Sequence, residues 1–221
     1  MAVARSPRIS VAGSGALLLD GAEVSFDDAT QELVWAVADA ARKLDGVRET
    51  VPGMNNLLVL FDPLATDAAR LREQLKSLWS GTYPRTVAGA LHTIAVDYGG
   101  ARGEDLAGWA AHCGLSPEEV VSRHAAATYT VAAIGAMPGF PYLSGLDPRL
   151  AWARRSSPRL NVPEGAVIIG GMQAGIMPMT APSGWHIIGH TDVRLFDAQA
   201  DTPVLLRPGD KIRFEIAGME A

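Results

Sequence analysis

Cysteine is almost absent from this 221-residue chain, with Cys113 the only one. A single thiol excludes an intramolecular disulfide and fits a reducing cytoplasm. Lysine is scarce too, confined to Lys43, Lys76 and Lys211, and the net charge is −5. A general nucleic-acid binder would be basic, so that class is set aside. No apolar run approaches the roughly 20 residues that a membrane helix needs. The first ten residues, MAVARSPRIS, contain no apolar segment of the kind that opens a signal peptide. The phosphate-binding G-x-x-x-x-G-K-[ST] loop, the G-x-S-x-G elbow, H-E-x-x-H and C-x-x-C are all missing. The common nucleotidase, α/β-hydrolase, zinc-protease and dithiol chemistries therefore lose their usual apparatus.

What remains is a composition able to build a core, with 48% hydrophobic and 19% charged residues. Two blocks stand out, GFPYLSGLD (139–147) and GGMQAGIMPMTAPSGWHIIG (170–189). Pro and Gly cost about 3 and 1 kcal/mol in a helix interior, so neither block suits a helix. Aromatic and amide side chains among turn residues are what binding loops on a rigid scaffold contain.

The N-terminal part reads β-β-α-β-β-α. Strands are expected at Arg8–Ala12, Ala16–Leu19, Val47–Val51 and Leu57–Phe61. The first helix is expected to start at a capping box of Ser25 and Asp28 and to bury Leu33, Val34, Val37, Ala41 and Leu44, with Gly46 as its stop. The second helix carries Leu71, Leu75 and Leu78. Pro84 marks the expected boundary, giving domains 1–84 and 85–221. In the second domain Ser116, Pro117 and Glu119 announce a helix N-terminus. Strands are expected at His92–Tyr98, Tyr129–Ile134, Val167–Ile169, His186–Ile188, Val193–Phe196 and Val204–Leu206. A last strand should alternate buried Ile212, Phe214 and Ile216 with wet Lys211, Arg213 and Glu215. Many short strands with Gly/Pro turns suggest a barrel or sandwich. The fold class is therefore α+β.

Several residues are candidates for chemistry. His186 and His190 are spaced as a metal pair would be on a helix, but their surroundings favour a strand, where four residues cover about 13 Å. A shared metal is not expected. His124 falls near a helix C-terminus, where a protonated ring is favoured by the helix dipole, or else serves a pocket. Arg149, Arg154, Arg155 and Arg159 crowd one segment. They are either a solvated loop or a site for a carboxylate, a phosphate or an acidic partner. Gln173 lies among small residues that would let a ligand approach, or is a turn residue. Phe140, beside Pro141, is either core or the apolar wall of a cleft.

Taken together, VRETVPGMNNLLVLFDP (47–63), GFPYLSGLDPRL (139–150), SPR (157–159), VPEGAV (162–167), PSGW (182–185) and LLRPGDKIRF (205–214) resemble one family. It is the family of 5-oxoprolinase B subunits, also called allophanate hydrolase subunit 1 or KipI-like. The resemblance implies a small two-layer α+β N-terminal domain and a cyclophilin-like β-barrel C-terminal domain. It implies a cytoplasmic heteromer with the C subunit, and with the A subunit, that opens the 5-oxoproline lactam to glutamate at the expense of ATP. Neither nucleic acid nor membrane is an expected partner. Phe140, Arg159 and Gln173 are the expected pocket residues, with His124 after them. Two other roles occur among similar proteins: KipI-like inhibition of a sensor histidine kinase, and a carboxyltransferase-like role beside a biotinylated partner, as in urea carboxylase. The chain departs from the family loop, which reads close to GGQTGIYPLESPGGW. Met172, Met177, Thr180 and Ser183 stand where Gly, Tyr, Glu and Gly are usual. Losing a phenol and a carboxylate there should weaken the handling of 5-oxoproline.

Overall fold

The structure is a computed structural model that describes residues 6–21, 25–81 and 89–220. These fall into two compact units, one on each side of residues 82–88. The expected boundary at Pro84 lies outside the described residues. No helix among the described residues is long and apolar enough to cross a membrane.

The first unit follows the expected order: β1 (Arg8–Val11), β2 (Ala16–Asp20), α1 (Asp28–Ala41), β3 (Val47–Pro52), β4 (Asn56–Phe61) and α2 (Ala68–Gly81). Its antiparallel sheet runs β1-β2-β4-β3. Strand β4 alternates: Leu57, Val59 and Phe61 are buried against Leu33, Val37, Leu71 and Leu75 of the helices. A period of two on the strand meets a period of 3.6 on the helices, and one apolar layer results. Helix α1 does not start at the expected Ser25 box. Asp27 is its N-cap, accepting from the Thr30 N–H at 2.7 Å. Buried Asn55 fixes that start: its Oδ1 accepts from the Asp27 N–H, and its own N–H donates to Gln31 Oε1. Asn55 takes φ 54, a conformation Asn tolerates better than most residues.

The second unit is a barrel with two helices. β5 (Leu91–Gly99) leads into α3 (Leu106–Cys113) and α4 (Pro117–Ala126). Then come β6 (Thr128–Ile134), β7 (Pro141–Ser144), β8 (Arg159–Val162), β9 (Ala166–Gly170), β10 (Gln173–Ile176), β11 (Ala181–Ser183), β12 (His186–His190) and β13 (Lys211–Glu220). The barrel closes in the order β10-β7-β6-β13-β5-β12-β9, while β8 and β11 form a separate ribbon. The α4 capping box is present: Ser116 Oγ accepts from the Glu119 N–H, and Glu119 Oε2 from the Ser116 N–H.

Two expectations need correcting. Val193–Phe196 and Val204–Leu206 are not strands; a single bridge joins Phe196 and Val204. Leu195 and Leu206 are buried all the same, so their apolar pattern records burial rather than ladder pairing. In β13, Ile212 and Phe214 face the core, but Ile216 is 46% exposed. The β13 register against β5 runs unbroken from Ile212, and the shift comes only after Ile216, between Ile216 and Gly218, so the alternation continues into a part of the strand that the core does not cover.

Candidate functional site

The two Gly/Pro blocks meet in space. They wall a cleft of about 300 Å³ in the second unit, with Phe140 and Tyr142 from the first block and Met177, Ser183 and Trp185 from the second. Arg154 and Arg155 complete its rim. Phe140, Tyr142 and Trp185 pack edge to face, with ring centroids 5.0, 5.7 and 6.1 Å apart. Each such pair is worth about 0.5–1.5 kcal/mol beyond area burial, so the wall is rigid. Glycine makes the wall fit: a Cβ at Gly170 would lie 2.6 Å from the Trp185 ring, and one at Gly175 would lie 3.0 Å from Phe140 Cζ. The Arg154 guanidinium sits 5.4 Å from the Trp185 ring centroid, a cation–π arrangement.

Beneath the arginines lies Asp105. It stands at the start of α3, yet its carboxylate does not cap the helix. It accepts instead from Arg159 Nη1 at 2.8 Å, Arg159 Nη2 at 2.9 Å and the Ile187 N–H at 2.7 Å. Arg155 Nη1 is farther, at 3.5 Å. Arg159 Nε is taken by Glu104 Oε1 at 2.9 Å. Burial pushes the Asp105 carboxyl up. The Arg159 hydrogen bonds, the Ile187 N–H and the cationic field outweigh it, and the carboxyl ends below its ordinary value. His186 donates from Nε2 to the Ala153 carbonyl at 2.8 Å and stacks on Trp152. Burial lowers its pKa, against the pull of Asp105 3.9 Å away, so the ring is neutral near pH 7.

Of the residues expected at a pocket, Phe140 lines the cleft. Arg159 does not: its fork is spent on Asp105 and Glu104. Arg154 and Arg155 are the arginines at the rim, and Arg149 pairs with Asp147 at 2.8 Å. Gln173 opens β10 at the tip of the β9–β10 hairpin, opposite Gly170 and outside the cleft lining. His124 is 0% exposed in the barrel core. Its Nδ1 lies 2.8 Å from Tyr98 Oη, and Phe214 stacks on its ring. Burial depresses its pKa to about 3, so the expected dipole-stabilised cation does not form either. His190 shares no role with His186: its Nε2 meets the Glu164 carbonyl and its Nδ1 meets Arg102.

Of the four departures from the family loop, Met177 and Ser183 line the cleft. Met172 is exposed, and Thr180 Oγ1 accepts from the Glu164 N–H. Asp105 was not legible in sequence: an acid before an apolar helix reads as a cap, and its partners lie 50–82 positions away. Two other concavities mix charges of both signs, one beside Asp97, Arg102 and Glu220, the other beside Lys43, Asp45, Asp67 and Arg70. The aromatic cleft differs in being lined by two cations and no acid. Chemically, it can hold a small flat anion.

The 5-oxoprolinase B subunit of Escherichia coli O157:H7 is 45% identical over 84% of this chain and 85% of its own length. The crystal structure of TTHA0988 superposes with TM-score 0.79 at 35% identity over 91% of this chain. This chain spans only 39% of that protein's length. The Kluyveromyces lactis urea amidolyase superposes with TM-score 0.82 at 20% identity, covering 96% of this chain and 15% of that one, which shows a shared fold. The profile of the carboxyltransferase domain, subdomain C and D, matches residues 7–206. The chain belongs to the carboxyltransferase subdomain C and D family, in the branch of the 5-oxoprolinase B subunits.

Proposed function

We propose that this chain is the B subunit of a multi-subunit 5-oxoprolinase, which opens the lactam of 5-oxoproline to glutamate with ATP as co-substrate. The observation that carries the reading is the 45% identity to a 5-oxoprolinase B subunit over 84% of this chain and 85% of that one. The cleft supports it chemically. 5-Oxoproline is a small ring bearing one carboxylate, and the cleft offers an aromatic wall with a cationic, acid-free rim. This chain's part is to hold and orient that ring. Opening a lactam requires its carbonyl to be activated, and ATP would supply that by phosphorylating the oxygen. The chain has no glycine-rich phosphate loop, and among the described residues no cluster of acids or histidines suits a metal ion. The activating step is therefore given to the partners, the C and A subunits, rather than to this chain. The lone Cys113 supports a cytoplasmic complex.

The carboxyltransferase-like role has the urea amidolyase likeness behind it, but at 20% identity that likeness carries the fold alone. No observed residue favours a kinase inhibitor. The deciding experiment is reconstitution with the A and C subunits from the same source, following glutamate and ADP. Release of both that depends on 5-oxoproline and on this chain supports the proposal. Turnover that is unchanged when this chain is left out sinks it.

A further inference from the structure

Charge balance around Asp105 shows which arginine is free to work. Three guanidinium groups, Arg154, Arg155 and Arg159, face two carboxylates, Glu104 and Asp105. Arg159 takes both acids in close contacts at 2.8 and 2.9 Å. His186 stays neutral and adds no charge. Arg155 is left with one long contact, 3.5 Å from Asp105 Oδ1, and its Nε is buried without an acceptor. Its position is nonetheless fixed, because the Arg155 backbone N–H donates to the Gly184 carbonyl at 2.8 Å. Arg154 is engaged with the face of Trp185. The rim thus carries surplus positive charge beside a floor of Phe140, Met177 and Trp185.

We propose that Arg155 is the binding residue for the carboxylate of a small cyclic monocarboxylic acid, whose ring lies in the Phe140–Tyr142–Trp185 cleft. The proposal deepens the reading above and rests on it only for the choice of 5-oxoproline as a probe. A guanidinium fork suits a planar carboxylate. Inside a cleft walled by aromatic rings the ion pair is less screened than at an open surface. The apolar floor takes the ring edge, and with Arg154 laid over the Trp185 face, Arg155 is the cation placed for a single carboxylate. The class is therefore a monoanion with a compact, weakly polar ring, rather than a phosphate or a dicarboxylate.

The test is calorimetric titration of the full chain with four probes: 5-oxoproline, its carboxamide, cyclopentanecarboxylate and inorganic phosphate. Both cyclic acids should bind. The carboxamide should bind about tenfold or more weakly, as should both acids to Arg155→Met and Arg155→Lys, because a charge-assisted bidentate contact is lost. Phosphate should bind more weakly than either acid. Three results overturn the proposal: carboxamide binding equal to that of the acid, wild-type affinity in Arg155→Met, or no binding of either acid at millimolar concentration. Two outcomes separate this proposal from the functional reading. A chain that binds the acids but supports no turnover in the complex sinks the enzymatic reading and leaves the site. A complex whose KM for 5-oxoproline is unchanged in Arg155→Met sinks the site and leaves the enzyme.

Discussion

Arg159 and Asp105 stand fork to fork, Nη1 to Oδ2 at 2.8 Å and Nη2 to Oδ1 at 2.9 Å, although they are 54 positions apart in the chain. The pair ties the ribbon strand β8 to the start of α3, and through the Ile187 N–H to the barrel strand β12. Arg159 is therefore a structural clamp, although the sequence offers it as a ligand residue.

Removing that clamp should cost stability. Arg159→Ala leaves the Asp105 carboxylate, only 10% exposed, with the Ile187 N–H but with no cation except the weaker Arg155 contact. Breaking a buried ion pair from one side costs about 3–5 kcal/mol, and partial exposure places this one at the low end. Urea unfolding should show the loss. An unchanged midpoint would return Arg159 to the pool of free arginines.

Acid should weaken the second unit through His124. Its folded pKa of about 3 lies below its ordinary 6.5. Below pH 6.5 the unfolded chain takes up a proton that the folded one refuses. The stability due to neutral His124 is thus complete above that pH and is lost as pH falls toward 3, by up to about 1.4 kcal/mol per pH unit. His124→Phe removes the titration but leaves the Tyr98 hydroxyl without its partner. That variant should lose about 1 kcal/mol at neutral pH and show a flatter slope in acid. The check is stability measured from pH 7 to pH 4, where parallel slopes would contradict the account.

The cleft should be sensitive to a single methyl group behind it. In Gly170→Ala the new Cβ would sit 2.6 Å from the Trp185 ring and push the indole forward. Overpacking of this kind costs roughly 1–3 kcal/mol. It should abolish binding of cyclic acids while the folded signal in near-ultraviolet circular dichroism persists. Unaltered affinity would mean that Trp185 does not form the ligand wall.

Met177 is the departure in the family loop that matters most. It is 1% exposed and lines the cleft, whereas Thr180 is outside the lining and spends its hydroxyl on the Glu164 N–H. Met177→Tyr places a phenol where the ring of a lactam could be hydrogen-bonded, and should lower the KM for 5-oxoproline in the reconstituted complex. Adding Thr180→Glu should change KM little further. A large gain from Thr180→Glu alone would show that the loop reaches the substrate in another way.

Much of the fold is legible in the chain itself. Alternation in Asn56–Phe61, the 3.6 period of Leu71 and Leu75, and the Ser116–Glu119 box are local patterns, and each forms the expected element. Local patterns rightly keep helix out of the two Gly/Pro blocks but mark them as loops, whereas β7, β10, β11 and most of β12 run through them and Phe140 sits in the turn just before β7. Where local patterns misled, distant residues decided. Asn55 moves the start of α1 from Ser25 to Asp27, and Ile216 keeps its place in the alternation yet lies 46% exposed beyond the core. Among four arginines in one segment, composition gives no ranking. Asp105 makes the choice, because the strength of an ion pair falls with distance in space and not along the chain. It engages Arg159 at 2.8 Å and Arg155 only at 3.5 Å. Sequence alone determined the α+β class, the order of the N-terminal elements and the two blocks that wall the cleft. Tertiary structure decided which cation is consumed in holding it together and which remains to meet a ligand.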